Sequence, residues 1–137
     1  MPSNPVRPSC SIVKESRRYT RKVVRGVRFH ADRLILDIQG DEFSFAQLVF
    51  EGIIGFRVLD ERDLSEFWNQ YSEPNGWLWE VHSGGWCELE RNRTGFSSAD
   101  LFSDMREFFI VDDKCISVLF RGTFTLTDTS AEPAGDR

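Results

Sequence analysis

Between residues 21 and 121 the apolar positions recur largely at every second residue, in runs rich in Val, Ile and Phe that Gly, Asn and Asp interrupt. This is the pattern of short strands joined by turns. It predicts strands near 21–30, 33–39, 43–50, 53–59, 77–82, 86–90, 107–112 and 115–121. In 33–39, Leu34, Leu36 and Ile38 share one face and Arg33 and Asp37 the other, as in a half-buried strand. Phe43 and Phe45 fall at odd positions, whereas Leu48, Phe50, Ile54, Phe56 and Val58 fall at even ones. That change of parity predicts a bulge or bend near Ala46-Gln47.

One stretch departs from the alternation. Leu64, Phe67, Trp68 and Tyr71 recur at helical spacing, Asp60 can cap them, and Leu59 and Leu64 stand at staple spacing. The spacing predicts a helix over 60–71, ended by Pro74-Asn75-Gly76 and packed by its aromatic stripe on the sheet, since a helix this short is marginal alone. A weaker helical turn is expected after Ser97-Ser98, through Asp100, Leu101 and Met105. Two hairpins are expected, Trp77 to Glu90 about Ser83-Gly84-Gly85 and Glu107 to Phe120 about Asp112-Asp113-Lys114. The predicted fold is mainly β (α+β), a curved antiparallel sheet, open barrel or sandwich of about seven or eight strands with one packed helix.

With 137 residues, 12 Phe and 4 Trp, the chain has the material for one core without metals or disulfides. A single β-rich domain is expected over 19–127. Residues 1–18, with Pro2, Pro5 and Pro8 among Ser and Arg, read as a mobile basic arm that the fold can spare, and 128–137 as a disordered tail. Apolar runs such as Phe108 to Val111 fall far short of the roughly 20 residues of a bilayer span, so no membrane partner is expected. The basic first 28 residues lack the apolar core of a secretory signal, which makes the cytoplasm the expected location. Cys10, Cys87 and Cys115 form an odd set with no close pair, unlike a disulfide framework or zinc site, and no cofactor is implied.

Charge changes the picture more than composition does. Eight bases against one acid put residues 1–28 at +7, so the other 109 residues carry −12 within a net charge of −5. Such a body repels nucleic acid and attracts cationic surfaces. Nucleic acid is therefore not the expected partner, although the basic arm could touch phosphates.

Catalytic chemistry is thinly represented. His82 and Cys87 flank one predicted turn and could pair as base and nucleophile, but two neighbours on a hairpin are the simpler account. No hydrolase, metalloprotease, P-loop or dinucleotide motif occurs, and an enzyme is not expected. Gly52-Ile53-Ile54-Gly55 has the spacing of a nucleic-acid backbone clamp, yet its isoleucines follow strand parity and a bent strand is preferred. Trp77 and Trp79 share a face that Trp86 can approach across the turn. Core packing is the default for such a cluster, and anchoring a protein or stacking a sugar is the alternative. Glu80 is expected to face Glu88 and Glu90, and Asp112 and Asp113 to form a hairpin tip. The candidate partner-binding set is thus Trp77, Trp79, Trp86, Glu80, Glu88, Glu90, Asp112 and Asp113.

Three segments carry a resemblance: Gly55-Phe-Arg-Val-Leu-Asp-Glu-Arg-Asp-Leu-Ser-Glu-Phe-Trp68, Gly76-Trp-Leu-Trp-Glu-Val-His-Ser-Gly-Gly-Trp86 and Arg106-Glu-Phe-Phe-Ile-Val-Asp-Asp-Lys-Cys-Ile-Ser-Val-Leu119. Over about residues 25–120 the chain resembles small β-rich proteobacterial proteins of the toxin-immunity type, which are encoded beside secreted toxins. The resemblance implies a non-catalytic domain that binds and neutralises a cationic toxin, and it transfers no functional residue. The second expectation is a regulatory β domain holding a small molecule or sugar on the Trp cluster.

Overall fold

The computed structural model describes residues 7–18, 23–40, 44–67, 71 and 76–129. Its strands are β1 (Ser9–Ile12), β2 (Val23–His30), β3 (Arg33–Gln39), β4 (Phe45–Glu51), β5 (Ile53–Asp60), β6 (Leu78–Ser83), β7 (Arg106–Ile110), β8 (Lys114–Phe120) and β9 (Phe124–Asp128). Between β6 and β7 come two short helices, α1 (Trp86–Arg91) and α2 (Ser98–Leu101). The strands form two antiparallel sheets, ordered β1-β6-β7-β8-β5 and β2-β3-β4-β9, and the sheets do not close into a barrel. The mainly β fold is thus as the alternation predicts.

The alternation explains the packing. Leu34, Leu36 and Ile38 of β3 and Ala46, Leu48 and Phe50 of β4 face Phe108, Ile110, Ile116, Val118 and Phe120 of β7 and β8, and together they fill the core between the sheets. On the five-stranded sheet the outer face is also covered, by Leu64, Phe67 and Tyr71 over Trp79, Val81, Phe109, Val111 and Cys115. Both faces of β7 and β8 are therefore dry, and these strands read as continuous apolar runs rather than alternating ones. The chain crosses between sheets at two places that touch, after β4 and after β8. There Glu51 N donates to Thr123 O and Arg121 N to Gly52 O. Gly52, at φ 73°, leaves no room for a Cβ, which would stand 2.8 Å from Gly122 N.

Several expectations change. Residues 86–90 are helical, because β6 already has β1 on one side and β7 on the other and offers no edge for a third strand. The segment after β5 forms two 3-10 turns, Glu61–Asp63 and Ser65–Phe67, in place of the described part of one α-helix; Leu64, between them, has the non-helical angles φ −128° and ψ 41°. Asp60 still caps the first turn, accepting from Arg62 N at 3.0 Å, and Phe67 still packs on the sheet, stacked 4.0 Å from Phe109. Trp68 lies outside the described residues. No bend occurs at Ala46-Gln47: β3 pairs with β4 unbroken from Gln39↔Phe45 to Arg33↔Glu51, with Phe45 on the outer face and Ala46 on the inner. Phe43 also lies outside the described residues. The irregularity falls instead at Ile53/Gly55, within the Gly-Ile-Ile-Gly run, which is a bulged strand.

The largest correction concerns the expected arm. Residues 1–6 lie outside the described residues, but Ser9–Ile12 pairs with β6, Val13 is 7% exposed in the main core, and Ser16 O accepts the indole N–H of Trp77 at 3.1 Å. An edge strand needs only one neighbour, so a run this short and polar can still be held by backbone bonds. At the other end, Phe124–Asp128 forms β9, beyond the last expected strand.

Removal of residues 1–18 is therefore expected to lower stability by at least about 2 kcal/mol, from the lost burial of Val13 alone. Urea denaturation of the full and shortened chains measures it, and equal midpoints would show that β1 contributes nothing.

Candidate interaction site

The three tryptophans occupy three different surroundings. Trp77 is 4% exposed in the core between the sheets, whereas Trp79 is 7% exposed in the second core, where its ring meets Tyr71 edge-on at 4.9 Å. Trp86 opens α1 and is half-buried; the Arg57 guanidinium lies over its ring at 5.3 Å, and its Nε1 donates to Glu90 Oε2 at 3.1 Å. Trp77 and Trp79 are thus unavailable as partner anchors, and no shared stacking face forms. Large rings in strands facing two cores are drawn inward from both sides.

The candidate carboxylates also separate. Glu80 does not face Glu88 and Glu90; it binds Arg106 through two bonds of 2.8 Å, and this partner holds its carboxyl below the usual range. Arg106 in turn lies 5.1–5.7 Å over the rings of Phe108, Phe120 and Phe124, so the pair closes one end of the core. Glu90 accepts from Arg93 at 2.8 Å, and Glu88 stands exposed on α1. Asp112 Oδ2 accepts from Val24 N at 2.8 Å and so ties the β7–β8 turn to β2.

Asp113 belongs to an acidic end. Its carbonyl accepts from Glu61 N at 3.1 Å, which brings the β7–β8 turn beside the turn after β5. Asp60, Glu61, Asp63, Asp112 and Asp113 gather there with Arg62 and Lys114. Arg62 and then Lys114 hold the Asp60 carboxyl well below the usual range.

Next to this end runs an apolar rim that sequence reasoning missed. β2 shifts register between Val24 and Gly26, after which Val27 pairs with Leu36 and Phe29 with Leu34, both residues of the inner face. Val27 and Phe29 are nevertheless 37% and 55% exposed, and Val58 on β5 is 45% exposed. The reason is topological: β2 and β5 are edge strands, and they meet at the open side of the two sheets, where Phe29 lies 5.7 Å from Phe56. The available signal was Gly26 inside an otherwise regular strand, which marks a bulge.

A cavity of about 330 Å³ opens beside the start of β7, lined by Glu80, His82, Cys87, Arg91, Arg106 and Glu107 among others. Glu107 is 5% exposed and accepts from Trp86 N at 2.8 Å and Cys87 N at 3.0 Å, doing from another strand the work of a helix cap that Gly85 cannot do. Burial pushes its carboxyl above the ordinary glutamate value, although the two N–H groups pull it down. His82 and Cys87 line this cavity together, and among the described residues no hydrogen bond joins them. The His82 ring shares a 2.7 Å hydrogen bond with Ser11 Oγ, on the β6 face of Leu78 and Glu80, while Cys87 sits on α1 over the opposite face. Burial raises the Cys87 thiol pKa, which disfavours the thiolate. Among the described residues no group of three or more His, Cys, Asp or Glu side chains is placed to hold a metal, and no helix is long and apolar enough to cross a membrane.

Compared with known proteins, the chain matches no family model, no curated protein and no solved structure.

The Glu107 geometry makes a pH-dependent prediction. A carboxyl raised by folding binds its proton more tightly in the folded state, so its contribution is full below the ordinary glutamate pKa and is lost as pH rises through the folded value. Glu107→Gln carries no such loss. The variant's unfolding free energy relative to the wild type is expected to rise from about pH 4 upward, as measured by urea denaturation at stepped pH. A difference that stays flat would place the Glu107 carboxyl at its ordinary value.

Proposed function

We propose that the chain is a non-catalytic protein-binding domain whose partner docks along the β2/β5 rim and against the adjoining acidic end, as an immunity protein neutralises a secreted toxin. The supporting observation is the contiguity of the two surfaces. Val58 lies two residues before Asp60 on the same strand, so exposed inner-face side chains run directly into the cluster of Asp60, Glu61, Asp63, Asp112 and Asp113, where Arg62 and Lys114 are the cations paired with Asp60 among the described residues. Apolar anchors beside a carboxylate cluster suit a partner with a basic contact surface and an apolar side chain to lay over Val27, Phe29 and Val58. The carboxylates would speed capture of such a partner.

A second copy of the chain suits the rim less well. Antiparallel pairing of β2 with itself about Gly26-Val27 would set Arg25 opposite Arg28, and like charges directly opposite are destabilising. A sugar-stacking role lacks its platform, since Trp77 and Trp79 are buried in separate cores.

The test uses the protein encoded directly beside this one, titrated by calorimetry. Phe29→Asp is expected to weaken binding at least tenfold while leaving the melting temperature near that of the wild type, because the ring is already half exposed. Glu61→Lys with Asp63→Lys should slow association at low salt, an effect that fades as salt screens it. A neighbour that fails to bind, or binds all variants alike, overturns the proposal.

A further inference from the structure

Beneath Trp86 the outer face of the five-stranded sheet carries, besides Glu107, two further polar side chains in a largely apolar layer. Arg57 on β5 and Ser117 on β8 are direct cross-strand partners, so their side chains leave the same face with Cβ atoms about 5 Å apart. Ser117 is 1% exposed, and its Oγ hydrogen-bonds to no described residue. The same holds for Arg57 Nε and Nη2, both buried. Around the pair stand Phe109, the other cross-strand neighbour of Ser117, and the Trp86 ring over the guanidinium. Gly55 leaves that ring space, since a Cβ there would stand 3.4 Å from Trp86 Cη2.

Three buried polar atoms without partners on two adjacent residues carry a large desolvation penalty, and native proteins meet such a penalty with a bound group. We propose that Arg57 and Ser117 together bind one internal water molecule beneath Trp86. The charge distribution selects a neutral ligand over a small anion. Burial is the main influence on the Arg57 guanidinium and pulls its pKa down, while Glu107, Glu66 and Glu90 act on it in the opposite sense, so a halide bound beside it would also meet negative charge. Water matches the donor set: its oxygen accepts from the guanidinium, and it can donate to or accept from the Ser117 hydroxyl. Held this way, the guanidinium presents a fixed flat surface to Trp86, the residue that seats α1 on the sheet. The site lies on the opposite face of β5 from the rim and does not depend on the proposed partner.

A crystal structure of the full chain grown with sodium bromide tests this directly. The expected result is a water-sized density peak within about 3.2 Å of Ser117 Oγ and of Arg57 Nε or Nη2, without an anomalous bromide signal. An anomalous peak there overturns it in favour of a halide site, and Arg57 nitrogens bonded directly to a protein oxygen overturn it in favour of an internal pair. Thermal unfolding supplies an independent measurement. A hydroxyl bonded to a water held by Arg57 makes Ser117→Ala lower the melting temperature by about 3 °C in the wild type and by nothing in an Arg57→Met background. A Ser117→Ala change that is neutral or stabilising in the wild type, as expected for a bare hydroxyl, overturns the proposal.

Discussion

Phe50, Phe108, Phe120 and Phe124 meet between the two sheets, and the arrangement of the whole chain depends on that contact. Phe50 stands 4.9 Å from Phe120 and 5.6 Å from Phe108, and Phe108 stands 4.7 Å from Phe124. All three contacts are edge-to-face, the arrangement in which the positive rim of one ring meets the negative face of another. The rings can come so close because two of the three crossings between the sheets lie beside them, at Gly52 and Gly122, where backbone touches backbone without intervening side chains. Arg106, held flat by Glu80, covers three of these rings and ends the core at that side.

From this centre the two sheets differ in what their outer faces can do. The four-stranded sheet turns a hydrogen-bonded polar face outward, with Asp37 accepting from Arg28 and Gln47 and Arg33 beside Glu51. The five-stranded sheet turns out a second apolar face and must be covered. Two 3-10 turns and α1 cover it, the latter seated by Glu107 and by the stacking of Trp86 on Arg57. With one face polar and the other capped, Val27, Phe29 and Val58 are left uncovered along the open side where β2 and β5 meet, while Leu89 and Leu101 are exposed on the two helices. The proposed binding role follows from that geometry together with the acidic end, and it requires no reacting group.

Much of the fold was legible because its causes are local. Period-two alternation marked β3, β4 and β5, and continuous apolar runs marked β7 and β8. Asp60 was readable as a cap since a cap acts within three residues. Where two local readings compete, position in the fold decides. Trp-Cys-Glu-Leu-Glu from Trp86 fits an alternating strand as well as a helical turn; it became a helix when β6 took both its neighbours elsewhere and a carboxylate 21 residues along the chain bonded Trp86 N. The proline-bearing start likewise showed no periodicity, yet backbone bonds to β6 seat it, and such bonds leave no trace in side-chain pattern.

The candidate site divides along the same line. By itself the sequence determined the acidic balance of the body, the inward alternation of the strands, and which residues are large and apolar. The tertiary structure alone decided that Trp77 and Trp79 face two separate cores, that Glu80 is bound to Arg106, and that Val27, Phe29 and Val58 stand uncovered at meeting edges. Whether an inward-pointing residue is buried depends on what lies opposite it. That is set by strand order, which is a relation between segments distant along the chain and has no signature in any one of them.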